Sequence, residues 1–242
     1  MKADAAKTKP KNSAAKAPEP TMGAKVKSEI IAWFWVILAF LLINGTLGQA
    51  RVIPSGSMEN TLLIGDHLIM SRVGYDAGIP FTNIHVPLWR EPKRQQIIIF
   101  KPPFDPGQPD YVKRVIGLPG ETVDVHDGGV YINGKHLVES YTIGRTEPPA
   151  KSQLIGPFAG LPFTVPKDCY FVMGDNRENS LDSRYWGCVP RDDILGTPVL
   201  IYMSLDAPRD AWNGDIGARF LAYGNALIHP STIRWRRLFH VF

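Results

Sequence analysis

The chain has 242 residues, of which 44% are hydrophobic and 21% charged, so it can build a core and is not a generally disordered chain. Its formal net charge is +4, but residues 1–28 hold seven lysines against Asp4 and Glu19 and account for +5, which leaves −1 for the remainder. A nucleic-acid-binding surface needs basic side chains clustered on a folded face. The uneven charge therefore argues against nucleic acid as a partner.

The first segment, residues 1–28, is rich in Lys, Ala, Pro, Ser and Thr. Its few apolar residues cannot offset the entropy lost on ordering the chain, which predicts a disordered basic tail. If the next segment crosses a membrane, the lysine excess predicts that this tail stays in the cytoplasm.

Residues 29–47 are predicted to be a single transmembrane anchor. The run from Ile30 to Ile43 has no polar residue, and about 18 apolar residues in a helix reach roughly 27 Å, close to the thickness of a hydrocarbon core. Two alternatives remain open. One is a buried core helix, and the other is a cleavable signal peptide ending in the small-x-small triplet Gly48-Gln49-Ala50.

Residues 48–242 are predicted to form a mainly β domain on the far side of the membrane. Short apolar runs recur among many Gly and Pro residues, and no convincing helical period follows Arg51. Asp127-Gly128-Gly129 and Asn133-Gly134 predict hairpin turns, because Gly and Asn tolerate positive φ. The predicted strands are Leu62–Ile64, His67–Met70, Gln96–Phe100, Thr122–Val125, Val130–Ile132, Tyr170–Met173 and Val199–Met203.

The two cysteines, Cys169 and Cys188, both fall in this predicted extracytoplasmic part. An oxidising compartment permits a disulfide between them. Two separate buried thiols are an equally good interpretation, because a sequence does not show whether the Cα atoms approach each other.

Three polar segments could carry chemistry. Ser57 lies between Gly56 and Met58 in a Pro-Ser-Gly-Ser turn, where a nucleophile can be held in reach, although such a turn is also a common linker. Lys113 lies inside an apolar strand, and burial would lower the pKa of its amine enough for it to act as a base, unless the side chain reaches water. Residues 174–187 mix opposite charges with Asn and Ser, which favours an ordered hydrogen-bond network over a plain surface loop.

Together these segments resemble the type I signal peptidase family, the membrane-bound Ser-Lys endopeptidases that remove leader peptides from exported proteins. The resemblance covers the anchor and nearly all of residues 48–190. It is carried by four motifs: PSGSM-x-x-TL-x-x-GD at 54–66, F-K at 100–101, DYVKR-x-x-GLPGE at 110–121 and GDNR-x-NS-x-DSR-x-WG-x-VP at 174–190. It implies an antiparallel β-sheet catalytic domain with a smaller inserted β subdomain at about 122–168, preceded by a single transmembrane helix.

The resemblance also implies roles for individual residues. Ser57 matches the family nucleophile and Lys113 its general base. Ser55 matches the hydroxyl that forms the oxyanion hole with the backbone N–H of Ser57, and Ser180 matches the residue that orients the lysine amine. The family's charged residues that support the site are matched in this chain by Arg114, Asp175, Arg177, Asp182 and Arg184. The residues that would line an extended substrate are Val52, Ile53, Pro54 and Val112.

The sequence departs from the family pattern at a few places. Asn60 replaces a usual Pro, which is expected to loosen the turn, and Gln95-Gln96 replace a usual Gly-Asp before the Ile97–Phe100 strand. One apolar segment takes the place of the two found in some members.

The implied activity is cleavage of exported preproteins after small-x-small motifs, with signal peptides and membrane lipid as partners. The expected location is the cytoplasmic (inner) membrane, as a single-pass protein with a cytoplasmic N-terminus and a periplasmic catalytic domain. No cofactor and no metal are predicted, since the six histidines form no HExxH and the chain has no P-loop.

Several alternatives share part of this pattern. A soluble Ser-Lys autoprotease of the stress-repressor type has the same catalytic pair, but the anchor and the GDNR segment disfavour it. A peptidase dedicated to pilus or conjugation maturation shares the fold, and a non-catalytic membrane-tethered β scaffold would explain the strands without the Ser and Lys. At the C-terminus, residues Ile233–Phe239 are either an interfacial segment or an element packed on the domain.

Overall fold

A computed structural model describes residues 22–42, 48–78, 85–105, 107–212 and 216–242. The chain divides into two units, one ending at Phe40 and the other beginning at Leu41. The first 21 residues of the predicted tail and residues 43–47 of the predicted anchor lie outside the described residues.

Helix α1 spans Met22–Leu42, and all but its last two residues belong to the first unit. The helix starts seven residues before the predicted start of the anchor at Glu29, and it exposes large apolar side chains such as Trp33, Phe34 and Trp35. Within the part of the chain that the structure describes, no helix is both long and apolar enough to cross a membrane.

The second unit is mainly β, and its largest sheet is antiparallel. The sheet order is β1-β2-β13-β5-β6-β11-β12, and β14 also pairs with β13. The strands are β1 (Gly48–Val52), β2 (Asp66–Ser71), β5 (Ile97–Phe100), β6 (Tyr111–Gly117), β11 (Cys169–Met173), β12 (Val189–Pro190), β13 (Ile194–Ser204) and β14 (His240–Val241).

The described residues also form two smaller sheets. A four-stranded sheet has the order β10-β7-β8-β9, from β7 (Thr122–His126), β8 (Gly129–Ile132), β9 (Lys135–His136) and β10 (Phe163–Thr164). A two-stranded sheet joins β3 (Asp76–Gly78) to β4 (His85–Pro87). Both predicted hairpin turns are confirmed, and Asp127 and Asn133 each adopt positive φ, of 53° and 50°.

Strand β5 shows how the main sheet is covered on both faces. All four of its residues are buried. Ile97 and Ile99 pack into one hydrophobic cluster, whereas Ile98 and Phe100 pack into another. Because successive side chains of a strand point to opposite faces, β5 and its neighbour β6 are central strands with packed residues on each side.

The structure joins Cys169 to Cys188 in a disulfide with a Cα–Cα distance of 5.8 Å. The pairing follows from the sheet, since β11 and β12 run antiparallel and place Cys169 opposite Pro190, close to Cys188. Of the two interpretations left open by the sequence, the structure therefore has the disulfide.

Two local predictions were wrong. Leu62–Ile64 is a turn rather than a strand. Residues Ile216–Ile228 form a 13-residue helix, α3, in a region where no helix was expected. Glycines 217 and 224 lower its helix propensity, and apolar residues occupy more than one of its faces, so its sequence shows no clear helical period. A short helix, α2, spans Ser183–Trp186.

Candidate active site

Ser57 lies on a short 3-10 turn, Gly56–Met58, that follows strand β1. The turn is fixed at its base, where Met58 and Leu62 are buried in the core. The backbone carbonyl oxygen of Ser57 accepts a hydrogen bond from the backbone N–H of Asn176 at 3.1 Å, which links the turn to the segment after β11. Ser57 itself is only 8% exposed.

Lys113 projects from the middle of β6 towards this turn. Its Nζ lies 2.5 Å from the Ser57 Oγ, and the residue is 4% exposed. Burial lowers the pKa of the Lys113 amine to about 8, with Arg184 adding to the effect and Asp182 and Asp175 opposing it. A substantial fraction of this lysine is therefore neutral near physiological pH.

Two further serines lie close to this pair. The hydroxyl oxygens of Ser55 and Ser57 are 3.5 Å apart. The Ser180 hydroxyl donates to Asp182 Oδ2 at 2.7 Å. Since that hydroxyl uses its proton on Asp182, its oxygen is left as an acceptor.

Asp175 connects the Ser57 turn to strand β6. Its carboxylate accepts a bidentate pair of hydrogen bonds from Arg114, at 2.9 and 2.6 Å, and a third from the Thr61 hydroxyl at 2.5 Å. The Asp175 side chain is fully buried, so these three charge-assisted bonds replace its lost hydration. They fix the turn and the strand that carry the serine and the lysine.

Asp182 organises the segment that follows. It accepts hydrogen bonds from the Gly174 N–H at 3.0 Å, from Ser180 and from the Arg184 guanidinium at 2.9 and 3.0 Å. Burial would raise the pKa of Asp182, but the charge of Arg184 and these hydrogen bonds outweigh it and lower that pKa below its usual value. Asp182 is therefore an anion at neutral pH, and its charge acts on the Lys113 amine.

Arg177 connects the segment after β11 to residues 139–146. It donates to Glu139 at 2.5 Å, to the Thr146 hydroxyl at 2.6 Å and to the carbonyl of Gly174 at 3.1 Å. Tyr141 donates to the same Glu139 carboxylate at 2.7 Å, and its ring lies 3.8 Å from the guanidinium carbon of Arg114. Residues 139–146 thus brace both arginines.

An open cleft of about 520 Å³ lies beside the serine and lysine. Its lining includes Ile53 and Pro54, which follow β1, and Tyr111 and Val112 of β6. Val52, also predicted to line the substrate, packs against a hydrophobic cluster that contains Leu205 and Trp212. The cleft-lining residues include Ile53, Pro54, Ser55, Ser57, Val112, Lys113 and Ser180 among the predicted site residues.

The structure adds residues to which the sequence gave no role. Thr61 and Asn176 lie inside the quoted motifs, so the sequence marked their positions but predicted no role for them. Glu139 and Tyr141 stand in no motif, and only the fold brings them to Arg177 and Arg114.

Asn60 does not loosen the turn in the way expected. Its φ is +90°, which the proline ring cannot reach, and its side-chain amide donates to the carbonyl of Tyr141 at 3.0 Å. Asn60 therefore has a backbone conformation that Pro does not adopt, and its hydrogen bond to Tyr141 holds that conformation in place. Gln95 likewise has positive φ, of 63°, and its carbonyl accepts from Arg114 at 2.8 Å.

Comparison with known proteins gives a consistent result. The family described as signal peptidase, peptidase S26, matches residues 26–203. A probable signal peptidase I-2 from Synechocystis sp. is 42% identical over 210 residues, covering 82% of this chain and 84% of that protein. A signal peptidase I from Leptolyngbya laminosa is 40% identical, covering 68% of this chain and 73% of that protein. A solved signal peptidase I from Enterococcus faecalis is 36% identical and covers 45% of this chain and 97% of that chain, with a TM-score of 0.36.

Proposed function

Since this chain belongs to the signal peptidase family, peptidase S26, and has the activity of a signal peptidase I, we propose that Ser57 and Lys113 are its catalytic pair. The observation that carries this proposal is the 2.5 Å contact between the Ser57 Oγ and the Lys113 Nζ inside a buried site. It is supported by the lowered pKa of the lysine, because a serine hydroxyl needs a neutral base beside it.

The first step is attack on the substrate carbonyl. The lone pair of neutral Lys113 takes the proton of the Ser57 hydroxyl as Oγ forms a bond to the carbonyl carbon. The negative charge that develops on the carbonyl oxygen is stabilised by the Ser55 hydroxyl and the backbone N–H of Ser57, and the position of Ser55 near the Ser57 Oγ supports this.

The second half of the reaction returns the proton. The C–N bond breaks, and the Lys113 ammonium protonates the departing amine, which leaves an acyl ester on Ser57 and a neutral lysine. The same lysine then takes a proton from water as the water oxygen attacks the ester carbon, and it returns that proton to the Ser57 Oγ as the C–O bond breaks. Ser180, with its oxygen free to accept, orients the lysine amine, and Asp182 holds Ser180 in place.

The substrate is a preprotein whose signal peptide lies extended in the cleft. Ile53, Pro54 and Val112 line the cleft with apolar surface, which suits an extended chain with small side chains at the cleavage site. Cleavage after small-x-small motifs follows from that fit. Residues 122–168 act as an inserted β subdomain of the catalytic domain at 48–242.

The family is membrane-associated, and residues 29–47 form the single-pass anchor of this member. The support is the run of apolar residues from Ile30 to Ile43 and the exposure of most of its described side chains. The lysine-rich residues 1–28 remain in the cytoplasm, and the catalytic domain works on the periplasmic side of the inner membrane.

The proposal is tested by cleavage of a preprotein whose signal peptide ends in Ala-x-Ala. Ser57→Ala and Lys113→Met should each lower kcat by about 10²–10⁴ or more, because each removes a group that acts in the transition state. Ser152→Ala and Lys151→Met change the same residue types at exposed positions and should cleave normally. Product mass should place the cut after the triplet. Near-normal cleavage by Lys113→Met would refute the assignment of the base.

A further inference from the structure

Helix α3 has its large apolar side chains on the outside. Ala222, Tyr223 and Ala226 pack inward against the cluster around Trp212. In contrast, Leu221 is 76% exposed and Leu227 is 84% exposed. A helix on a water-soluble surface normally places its large apolar residues inward, so α3 has the reverse arrangement.

The exposed side chains share one face of the helix. At 100° per residue they fall within an arc of about 140°. We call this set the α3 apolar face, and it consists of Ile216, Phe220, Leu221, Leu227 and Ile228. A contiguous apolar face of this kind marks a surface that meets something other than water.

Charge and composition indicate a lipid surface. Residues 216–242 contain four arginines and no aspartate or glutamate. Arg234 and Arg237 pair with Asp206 and Asp66, so the excess positive charge of this segment comes from Arg219 and Arg236. Trp235 and Phe239 are 60% and 72% exposed, and Arg236 between them is exposed. Exposed Trp and Phe beside Arg are typical of segments that lie at the headgroup level of an anionic bilayer.

This surface is connected to the active site by hydrogen bonds. Arg237 pairs with buried Asp66 and donates to the carbonyl of Thr61 at 2.8 Å, four residues after the nucleophile. Arg234 donates to the carbonyl of Ile64 at 2.8 Å. These bonds fix this end of the chain to the loop that follows Ser57.

We propose that the α3 apolar face, with exposed Trp235 and Phe239, docks on the surface of an anionic bilayer and holds the cleft at the level where substrates leave it. The α3 segment lies beyond residues 26–203, the part that the family match covers. Docking by α3 is thus additional to the anchor and to the catalytic pair.

The test uses the full chain reconstituted in phosphatidylcholine vesicles with or without phosphatidylglycerol. Leu221→Cys and Leu227→Cys are labelled with an environment-sensitive fluorophore, and Val138→Cys, which is similarly exposed at 79% in the loop after β9, is the control. Because Cys169 and Cys188 are joined, each introduced thiol is the only free one.

The expected result is a blue-shifted emission and quenching by lipid-borne spin labels at positions 221 and 227, stronger with phosphatidylglycerol, and neither effect at position 138. Spectra at 221 and 227 that match those at 138 would overturn the proposal. So would shielding that appears only after a second protein is added. Cleavage of a soluble peptide by each labelled chain reports on the active site separately.

A functional measurement completes the test. The double variant Leu221→Glu, Leu227→Glu should cleave a soluble peptide at the wild-type rate but cleave a vesicle-bound preprotein severalfold more slowly. Equal rates on both substrates would contradict docking, since charged side chains at these positions oppose contact with the bilayer.

Discussion

The Lys113 amine makes the activity depend on pH. Its pKa is lowered to about 8, chiefly by burial, and only the neutral form can accept the serine proton. We therefore expect kcat/KM for a soluble peptide to rise roughly tenfold per pH unit at acidic pH and to level off near pH 8. The measurement is a pH–rate profile, with the folded state checked by circular dichroism at each pH.

A pH–rate profile of the Asp182→Asn variant tests whether the midpoint reports the pKa of Lys113 or that of another group. Asp182 raises the Lys113 pKa by its charge, so Asp182→Asn should move the midpoint to lower pH, whatever it does to the maximal rate. A midpoint near 10.5, the ordinary value for lysine, or one that does not move in this variant, would contradict the assignment.

Gly174 is the residue at which a single methyl group should disturb the site. A Cβ there would lie 2.3 Å from the Ser180 Oγ and 2.5 Å from the carbonyl oxygen of Ser57. Gly174→Ala should therefore lower kcat by tenfold or more with little change in KM, and cost about 1–3 kcal/mol in the free energy of unfolding. Peptide kinetics and thermal unfolding measure the two effects.

A matched glycine provides the control for that substitution. Gly224 lies in α3 with open space around its Cβ position. Gly224→Ala should leave kcat unchanged and stabilise the helix slightly, by about 0.5–1 kcal/mol. If Gly174→Ala behaves in the same way, the close packing around Ser180 does not position the catalytic groups.

At the scale of elements, the sequence predicted those strands whose pattern is local. Val130–Ile132 and Tyr170–Met173 lie within β8 and β11, because apolar runs between Gly-rich turns have few alternatives to a strand. The strand prediction for Leu62–Ile64 was wrong because buried apolar residues also occur in turns. Leu62 is buried in the turn that follows Ser57 and anchors it to the core.

The motifs identified the groups that meet at the site, but not all the residues that support them. Ser57, Lys113 and Asp175 belong to quoted motifs, and the structure brings them together. Glu139 and Tyr141 contact Arg177 and Arg114 because of the path that their segment takes, and no hydrophobic period or motif in the sequence predicts that path. Sequence patterns thus identify the reacting groups more readily than the residues that support them.

At the scale of the whole molecule, the charge is divided between two parts of the chain. Residues 1–28 carry +5 and the remainder −1. Two acidic residues beside the site are paired, Asp175 with Arg114 and Asp182 with Arg184. The net positive charge therefore belongs to the N-terminal segment, rather than to a binding surface on the second unit.

The orientation of the proposed anchor should depend on the lysines nearest to it. Replacing Lys16, Lys25 and Lys27 by Gln removes three positive charges close to the apolar run, which weakens the preference for a cytoplasmic N-terminus. We expect a measurable fraction of chains to insert in the opposite sense, detected by modification of an N-terminal cysteine tag from outside intact cells. Gln at the exposed positions Lys135, Lys151 and Lys167 removes the same charge far from the apolar run in sequence and should leave the orientation unchanged. Equal accessibility of the tag in both triple variants would show that these lysines do not set the topology.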